Sequence, residues 1–141
     1  EKGILKVFMY NTIVAKRAGM VSTGNASRGG FTSLPGIGAH NFYMTAGDMP
    51  VEDIIRDTKN GILLKGVTGY GINPVNGAFS GGASGFWISE GKITFPVKGL
   101  TIAGSAFDMF NAIDRVGNDL DLTRGFTTPT FRIEEMQIGG K

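Results

Sequence analysis

Few residues in this chain have types and spacing that could do chemistry. His40, in "GIGAHNFYM", is the only histidine, so no H-E-x-x-H or other two-histidine spacing can exist. Zinc takes three or four nitrogen, sulfur or carboxylate ligands. One imidazole, no thiolate and carboxylates that do not cluster around His40 in sequence offer no self-contained zinc site. "GASG" (Gly82 to Gly85) places Ser84 among glycines, but a G-x-S-x-G nucleophile elbow needs a residue between the serine and the last glycine, and Phe86 stands at the final position. "GVTGYG" has its glycines at the wrong offsets for G-x-G-x-x-G, and no G-x-x-x-x-G-K-[ST] occurs. Asp119 and Asp121 in "GNDLDL" sit two apart as in a calcium loop, without the following glycine or the distal glutamate; a helix stop and turn is the simpler reading. Asn25, Ser27 and Arg28 in "STGNASRGG" could bind a peptide main chain or an anion, because a glycine-bent loop exposes backbone N–H donors. The same residues also suit a hydrogen-bonded structural loop.

Composition narrows the function classes. The 141 residues suit one domain, 1–141, able to bury a core without metal or disulfide help. Glycine accounts for 23 residues, yet 41% of the chain is apolar and the glycines are separated by large hydrophobics, which argues against disorder. A net charge of +2 spread along the chain gives no basic patch for nucleic acid. The apolar runs are far below the roughly 20 residues that cross a bilayer, so no membrane association is expected. The absence of cysteine fits a reducing compartment, and a cytoplasmic location is expected. A start at Glu1 rather than methionine suggests a fragment of a longer polypeptide.

The elements that must position these residues follow from the patterning. "GILKVFMY" (Gly3 to Tyr10) alternates with apolar residues on both faces, as a central strand does. Asn11 caps a brief helix stopped by Gly19, and Gly19 to Asn41 is a long structured loop. "NFYMTAG" reads as a strand, followed by a helix in "VEDIIRDT" with Asp48 and Pro50 at its start. "GILLKGVTGYGINPV" (Gly61 to Val75) reads as two strands with bends at its glycines. "GFWI" and "KITFPV" form a hairpin turning at Ser89 to Lys92, with Ile93, Phe95 and Val97 on the buried face. Pro96 and the change of apolar phase after Gly99 imply a bulge or an edge position. Ser105 and Asp108 start a helix whose buried face runs through Phe107, Met109, Phe110, Ile113 and Val116 to a stop at Gly117. "TFRIEEMQIGG" alternates and then re-phases across Glu134 and Glu135, which implies a second bulge. Together these give an α+β fold, a largely antiparallel, bulged β-sheet or barrel-like domain with two or three short helices.

Four segments in order, "STGNASR", "VNGAFSGGASGFWISEGKITFPVKGLTIAG", "DMFNAIDRVGNDLDL" and "RIEEMQIGG", resemble the carboxy-terminal domain of the TldD/PmbA family, the metallopeptidase system once described as a modulator of DNA gyrase. Gly82, Gly85, Phe86, Gly104, Gly117, Asn118 and Asp119 are the motif positions expected to be structural. The resemblance implies a homodimer or a heterodimer with a TldD-type subunit, whose H-E-x-x-x-H zinc motif lies upstream of this domain and is completed by a carboxy-terminal cysteine. Here "LTRGFTTPTF" occupies the segment where that cysteine would fall, with a short connection and no sulfur. The resemblance therefore implies the PmbA/TldE-like half, which lacks zinc, encloses the active chamber and helps present unfolded peptide. Zinc would belong to the TldD-type partner or to an upstream region.

On this reading Asn25, Ser27, Arg28, His40, Ser84 and Trp87 are the candidate peptide or partner contacts. Trp87 and Phe86 are expected to fill the core or an interface. Two other readings stay open: a self-associating structural or protein-binding module without a peptidase role, and part of a catalytic zinc subunit with its ligands upstream.

Overall fold

The computed structural model describes residues 4–140, apart from the side chain of Tyr70. It resolves into two compact units, Glu1–Tyr43 with Leu122–Thr127, and Met44–Asp121 with Thr128–Lys141.

In the first unit, helix α1 (Thr12–Ala18) starts as the sequence expects. The Asn11 side chain accepts from the Val14 N–H at 2.9 Å, and Gly19 closes the helix in the left-handed conformation at φ 64. Asn11 is buried, and its amide also donates to the carbonyls of Pro35 and Gly36. One side chain thus joins the helix start to the base of a small antiparallel hairpin, β1 (Ala26–Ser27) with β2 (Gly36–Ile37). Strand β3 (Phe42–Tyr43) pairs in parallel with β8 (Phe126–Thr127), and the Phe42 and Phe126 rings lie 6.4 Å apart.

The strand expected from Gly3 to Tyr10 does not form over the described residues; Gly3 lies outside them. Leu5, Val7, Phe8 and Met9 are all exposed. Alternation alone cannot make a strand, because ladder bonds need a neighbour. Tyr10 instead exchanges hydrogen bonds with the Thr23 hydroxyl.

The second unit is organised by an open four-stranded antiparallel sheet in the order β10-β6-β5-β4. Its long members are β4 (Asn60–Ile72), β5 (Ala78–Ser89) and β6 (Lys92–Ser105), and β10 (Gln137–Gly139) adds to the far half of β6. The α+β, largely antiparallel expectation holds, with three short helices; the sheet does not close into a barrel. Gly61 to Ile72 is one strand with two register shifts, not two strands, because one extra residue at Lys65 and one at Gly69–Tyr70 bulge out while pairing with β5 resumes beyond each.

The phase change at Gly99 has the expected cause. Ala83 pairs Leu100 and Ser84 pairs Lys98, leaving Gly99 as the extra residue at φ 74. A left-handed backbone at a bulge favours glycine, which has no Cβ to clash. Pro96 lies in the stretch of β6 that has β5 on one side and, among the described residues, no strand on the other, since β10 reaches only Thr101 to Ala103. Pairing with β5 also shifts register between Phe86 and Ile88, immediately beside Pro96, and an edge or bulge is where a strand tolerates proline.

The hairpin turn is Glu90-Gly91, both at positive φ, as a two-residue type I′ turn requires. Its two amides donate to the carbonyls of Lys59 (2.6 Å) and Thr58 (3.0 Å), just past helix α2 (Val51–Arg56). The turn thereby anchors the segment that joins α2 to β4. Helix α2 buries Ile54, as its spacing implies, but Pro50 stands at the cap position with no side-chain cap, so Asp48 does not serve.

The core lies where β5 and β6 meet α3 (Ala106–Asn111). Phe79, Ala83, Ile102 and Ala106 are buried, with Leu100, Met109 and Met136 packed against them. Ser105 accepts from the Asp108 N–H and caps α3, as its S-x-x-D pattern predicts. The helix is shorter than expected: Ile113–Val116 is strand β7, paired with β9 (Phe131–Ile133), and Phe107 and Phe110 are exposed. Ile113 and Val116 are β-branched residues that pack well on a pleated surface, and the nearby Phe131–Ile133 edge lets them. The re-phasing at Glu134–Glu135 marks a change of sheet, from the β7-β9 pair to the four-stranded sheet, and is not a bulge. Ile93 and Phe95 are exposed, contrary to the buried face expected for them, because the core elements cover the other half of β6.

Backbone proximity within the ladder makes a sharp prediction. A Cβ at Gly85 would stand 2.0 Å from the Leu63 carbonyl oxygen, whereas one at Gly104 would meet the Phe79 ring at an ordinary 3.6 Å. Urea denaturation should show Gly85→Ala losing about 2–3 kcal/mol, as overpacking does, and Gly104→Ala losing under about 1 kcal/mol; equal losses at the two positions would contradict the register described.

Candidate functional site

The six candidate contact residues are divided between the two units. Four lie in the first unit around the β1–β2 hairpin. The Asn25 amide donates to the Gly38 carbonyl, and its oxygen accepts from the Thr23 hydroxyl at 2.6 Å. His40 Nε2 lies 3.3 Å from the Gly24 carbonyl oxygen. Ser27 pairs with Gly36 within the hairpin. These three hold the loop together, as the structural-loop alternative has it. Arg28 differs: it is exposed, forms no hydrogen bond or ion pair among the described residues, and lines an open depression of about 340 Å³ with Gly29, Gly30 and Phe31.

Ser84 and Trp87 belong to β5 in the second unit. Ser84 pairs with Gly66 on one side and Lys98 on the other, next to the Lys65 and Gly99 bulges. Trp87 is half-buried and stacks on Phe95 at 6.3 Å between ring centroids, with 7° between the planes. Phe86 is exposed. Neither aromatic fills the core, as the sequence reading offered, because the small side chains of β5 and Phe79 occupy the covered face.

The motif positions Gly117, Asn118 and Asp119 form a junction. The Gly117 N–H donates to the Thr130 carbonyl and its own carbonyl accepts from the Gly47 N–H, and the Asn118 N–H donates to the Met49 carbonyl. A Cβ at Gly117 would meet Asp119 Oδ1 at 2.6 Å and the Thr130 carbonyl oxygen at 3.0 Å. Asp119 accepts from both the Thr130 N–H (2.8 Å) and its hydroxyl (2.7 Å). Burial alone would raise the Asp119 pKa, and the Thr130 bonds outweigh it, so its carboxyl sits below the ordinary range. Both oxygens are thereby committed to Thr130, beside the fully buried Pro129. Among the remaining motif glycines, Gly82 would bring a Cβ to 2.9 Å from the Thr68 hydroxyl.

Pattern reading missed an ionic cluster. Arg132 on β9 grips the Asp114 carboxylate on β7 through Nε and Nη2, and its Nη1 reaches the Asp57 carbonyl, the Asp57 carboxylate and the Thr58 hydroxyl. Arg115 bridges Asp57 at 3.4 Å. The Arg132 hydrogen bonds hold the Asp114 carboxyl below the usual carboxylate range against the opposing effect of burial, and the Arg115 charge assists. Met49, Asp53, Arg56, Asp57 and Arg115 line an open depression of about 480 Å³ beside this cluster. Spacing could not reveal it, since its members are separated by up to 75 residues.

Among the described residues no group of three or more His, Cys, Asp or Glu side chains could hold a metal ion. With one histidine and no cysteine in the whole sequence, the residues present do not fit a zinc centre. No helix of the described residues is long and apolar enough to cross a membrane.

Because the folded pKa of Asp114 is depressed, its contribution to stability is complete above the ordinary carboxylate pKa of about 3.9 and is lost as pH falls through the lower folded value. Asp114→Asn should cost about 1–3 kcal/mol at pH 7, with the difference from wild type shrinking below about pH 4; thermal unfolding at several pH values checks it, and a pH-independent difference would refute the ionic account. For the half-buried indole, Trp87→Ala should cost about 1–2 kcal/mol, less than the roughly 3–5 kcal/mol of a fully buried tryptophan, as read by chemical denaturation.

A family model described as the PmbA/TldA metallopeptidase C-terminal domain matches residues 1–140. A metalloprotease PmbA homolog of Haemophilus influenzae is 33% identical over 144 residues, covering 99% of this chain and 29% of that protein. A metalloprotease TldD homolog of Buchnera aphidicola subsp. Acyrthosiphon pisum is 31% identical over 155 residues, with 99% and 32% coverage. The crystal structure of TldE from Thermococcus kodakarensis superposes with a TM-score of 0.89 at 29% identity, covering 99% of this chain and 33% of that one. The chain thus spans about a third of the length of these relatives. A match along essentially the whole chain, in sequence and in fold, establishes that it belongs to the PmbA/TldD metallopeptidase family and corresponds to that family's C-terminal domain.

Proposed function

We propose that this domain belongs to the PmbA/TldE-like half of a two-subunit peptidase. It pairs with a TldD-type subunit, helps enclose the chamber where unfolded peptide is cut, and contributes no metal ligand; zinc is held by the partner or by an upstream region. One observation carries this reading. The TldD relative matches over 155 residues, more than the 141 this chain possesses, so it has residues in this region without counterpart here; the PmbA relative matches over 144. The short, cysteine-free "LTRGFTTPTF" connection is where the resemblance puts the extra length and the metal-binding sulfur.

Peptide presentation is supported by the outer side of β4, which carries no ladder partner among the described residues. Asn60 to Leu64, ahead of the first bulge, is a regular run, and its outward N–H and C=O groups suit an extended chain with little demand on side chains. The reading places the protein in the cytoplasm, without nucleic-acid or membrane partners, in keeping with the absence of cysteine and the dispersed charge.

Mixing the full-length protein with a TldD-type subunit tests this. Cleavage of an unfolded peptide is expected only from the mixture, with zinc following the TldD-type chain on separation. Cleavage by this protein alone, with one zinc per chain, would overturn the assignment.

A further inference from the structure

The Arg28 depression has a composition of its own. Arg28 carries a charge that no described acid neutralises, and the Gly29 and Phe31 amides form no hydrogen bond among the described residues, while the Gly30 amide is used by the Ser33 hydroxyl. Phe31 is 103% exposed and Leu34 88% exposed, at the tip of the β1–β2 connection. The base of that connection is fixed: buried Asn11 bonds to Pro35 and Gly36, Asn25 bonds to Gly38, and the Ser33 hydroxyl and amide close the turn on the Gly30 carbonyl. A rigid base beneath a bare guanidinium, two open amides and an apolar ring differs from an exposed loop whose polar groups satisfy one another. Leaving large apolar side chains in water is unfavourable, by roughly 25 cal/mol per Å² relative to burial.

We infer that Arg28, the Gly29 and Phe31 amides and the Phe31 ring form a subsite for the free carboxy terminus of a peptide whose last side chain is apolar. The guanidinium and amides match a carboxylate, for which a planar cation offers paired hydrogen bonds. The phenyl ring covers the neighbouring apolar side chain. This rests on the peptide-handling reading above and refines it: the carboxylate that every peptide terminus carries anchors one end of the bound chain, and the ring favours an apolar last residue.

The test is an NMR titration of the full-length protein with N-acetyl-alanyl-alanyl-phenylalanine, with its carboxy-terminal amide, and with an amidated analogue carrying an internal aspartate. The free acid should bind, and the plain amide should bind at least about tenfold more weakly. Arg28→Gln and Phe31→Ala should each weaken the acid by a similar factor, with Arg28→Lys retaining part of the affinity. None of these variants should move the melting temperature, since Arg28 has no partner and Phe31 is bare. Equal binding of acid and amide, no effect of Arg28→Gln, or binding of the aspartate analogue as tight as the free acid would each overturn the subsite. If the two-subunit mixture cleaves peptide while Arg28→Gln changes nothing, only the subsite falls. If the acid binds through Arg28 and the mixture cleaves nothing, the peptidase reading falls and the subsite stands.

Discussion

The close passage of β4 against β5 is the constraint from which the sheet of the second unit takes its form. At Gly85 the neighbouring carbonyl of Leu63 occupies the space a side chain would need, so the pairing of these strands is fixed in position as well as in direction. A slip by one residue would bring Ser84 or Phe86 to that point and turn every β5 side chain to the opposite face. From this fixed register the bulges at Lys65 and Gly99 take their places, and Phe79, Ala83 and Ile102 come together under α3.

Around the sheet, short elements are secured by specific polar contacts more than by area. Few side chains are buried, and large hydrophobics such as Val7, Phe31, Val75 and Phe95 remain in water. The Glu90-Gly91 turn binds the carbonyls after α2, Arg132 ties β9 to β7 and to the same end of α2, and Asp119 ties Gly117 to Thr130. The motif segments thus coincide with the tightest backbone junctions. The glycines at these junctions serve geometry, since a side chain at Gly85, Gly91 or Gly117 would run into neighbouring atoms.

Local chemistry made some of this legible in advance. Asn11, Ser105 and Gly19 carry capping signals that depend only on neighbouring residues, and the Gly99 bulge is written in the phase of Leu100 and Ile102. Where the decision lies with distant residues, pattern fails. Ile113 and Val116 have helical spacing after Met109 yet become a strand because Phe131–Ile133 offers an edge. Glu134–Glu135 looks like a bulge until the two flanking strands prove to be in different sheets. Among the candidate contacts, Asn25, Ser27 and His40 turned inward to the loop's own hydrogen bonds, and only Arg28 was left facing solvent without a partner. The Arg132 cluster had no local signature at all.

The two margins of the four-stranded sheet are unequal. One is the long β4, regular over Asn60 to Leu64; the other is shared between the three-residue β10 and the stretch of β6 interrupted by Pro96. A sheet receptive on both sides can polymerise, since each added molecule offers a fresh side to the next. Here, among the described residues, β4 is the receptive margin, and two such sheets joined through it would leave only the poor margins outside. Growth therefore terminates after one such pairing, so a sheet with a single receptive side can join a copy of itself without seeding a fibre.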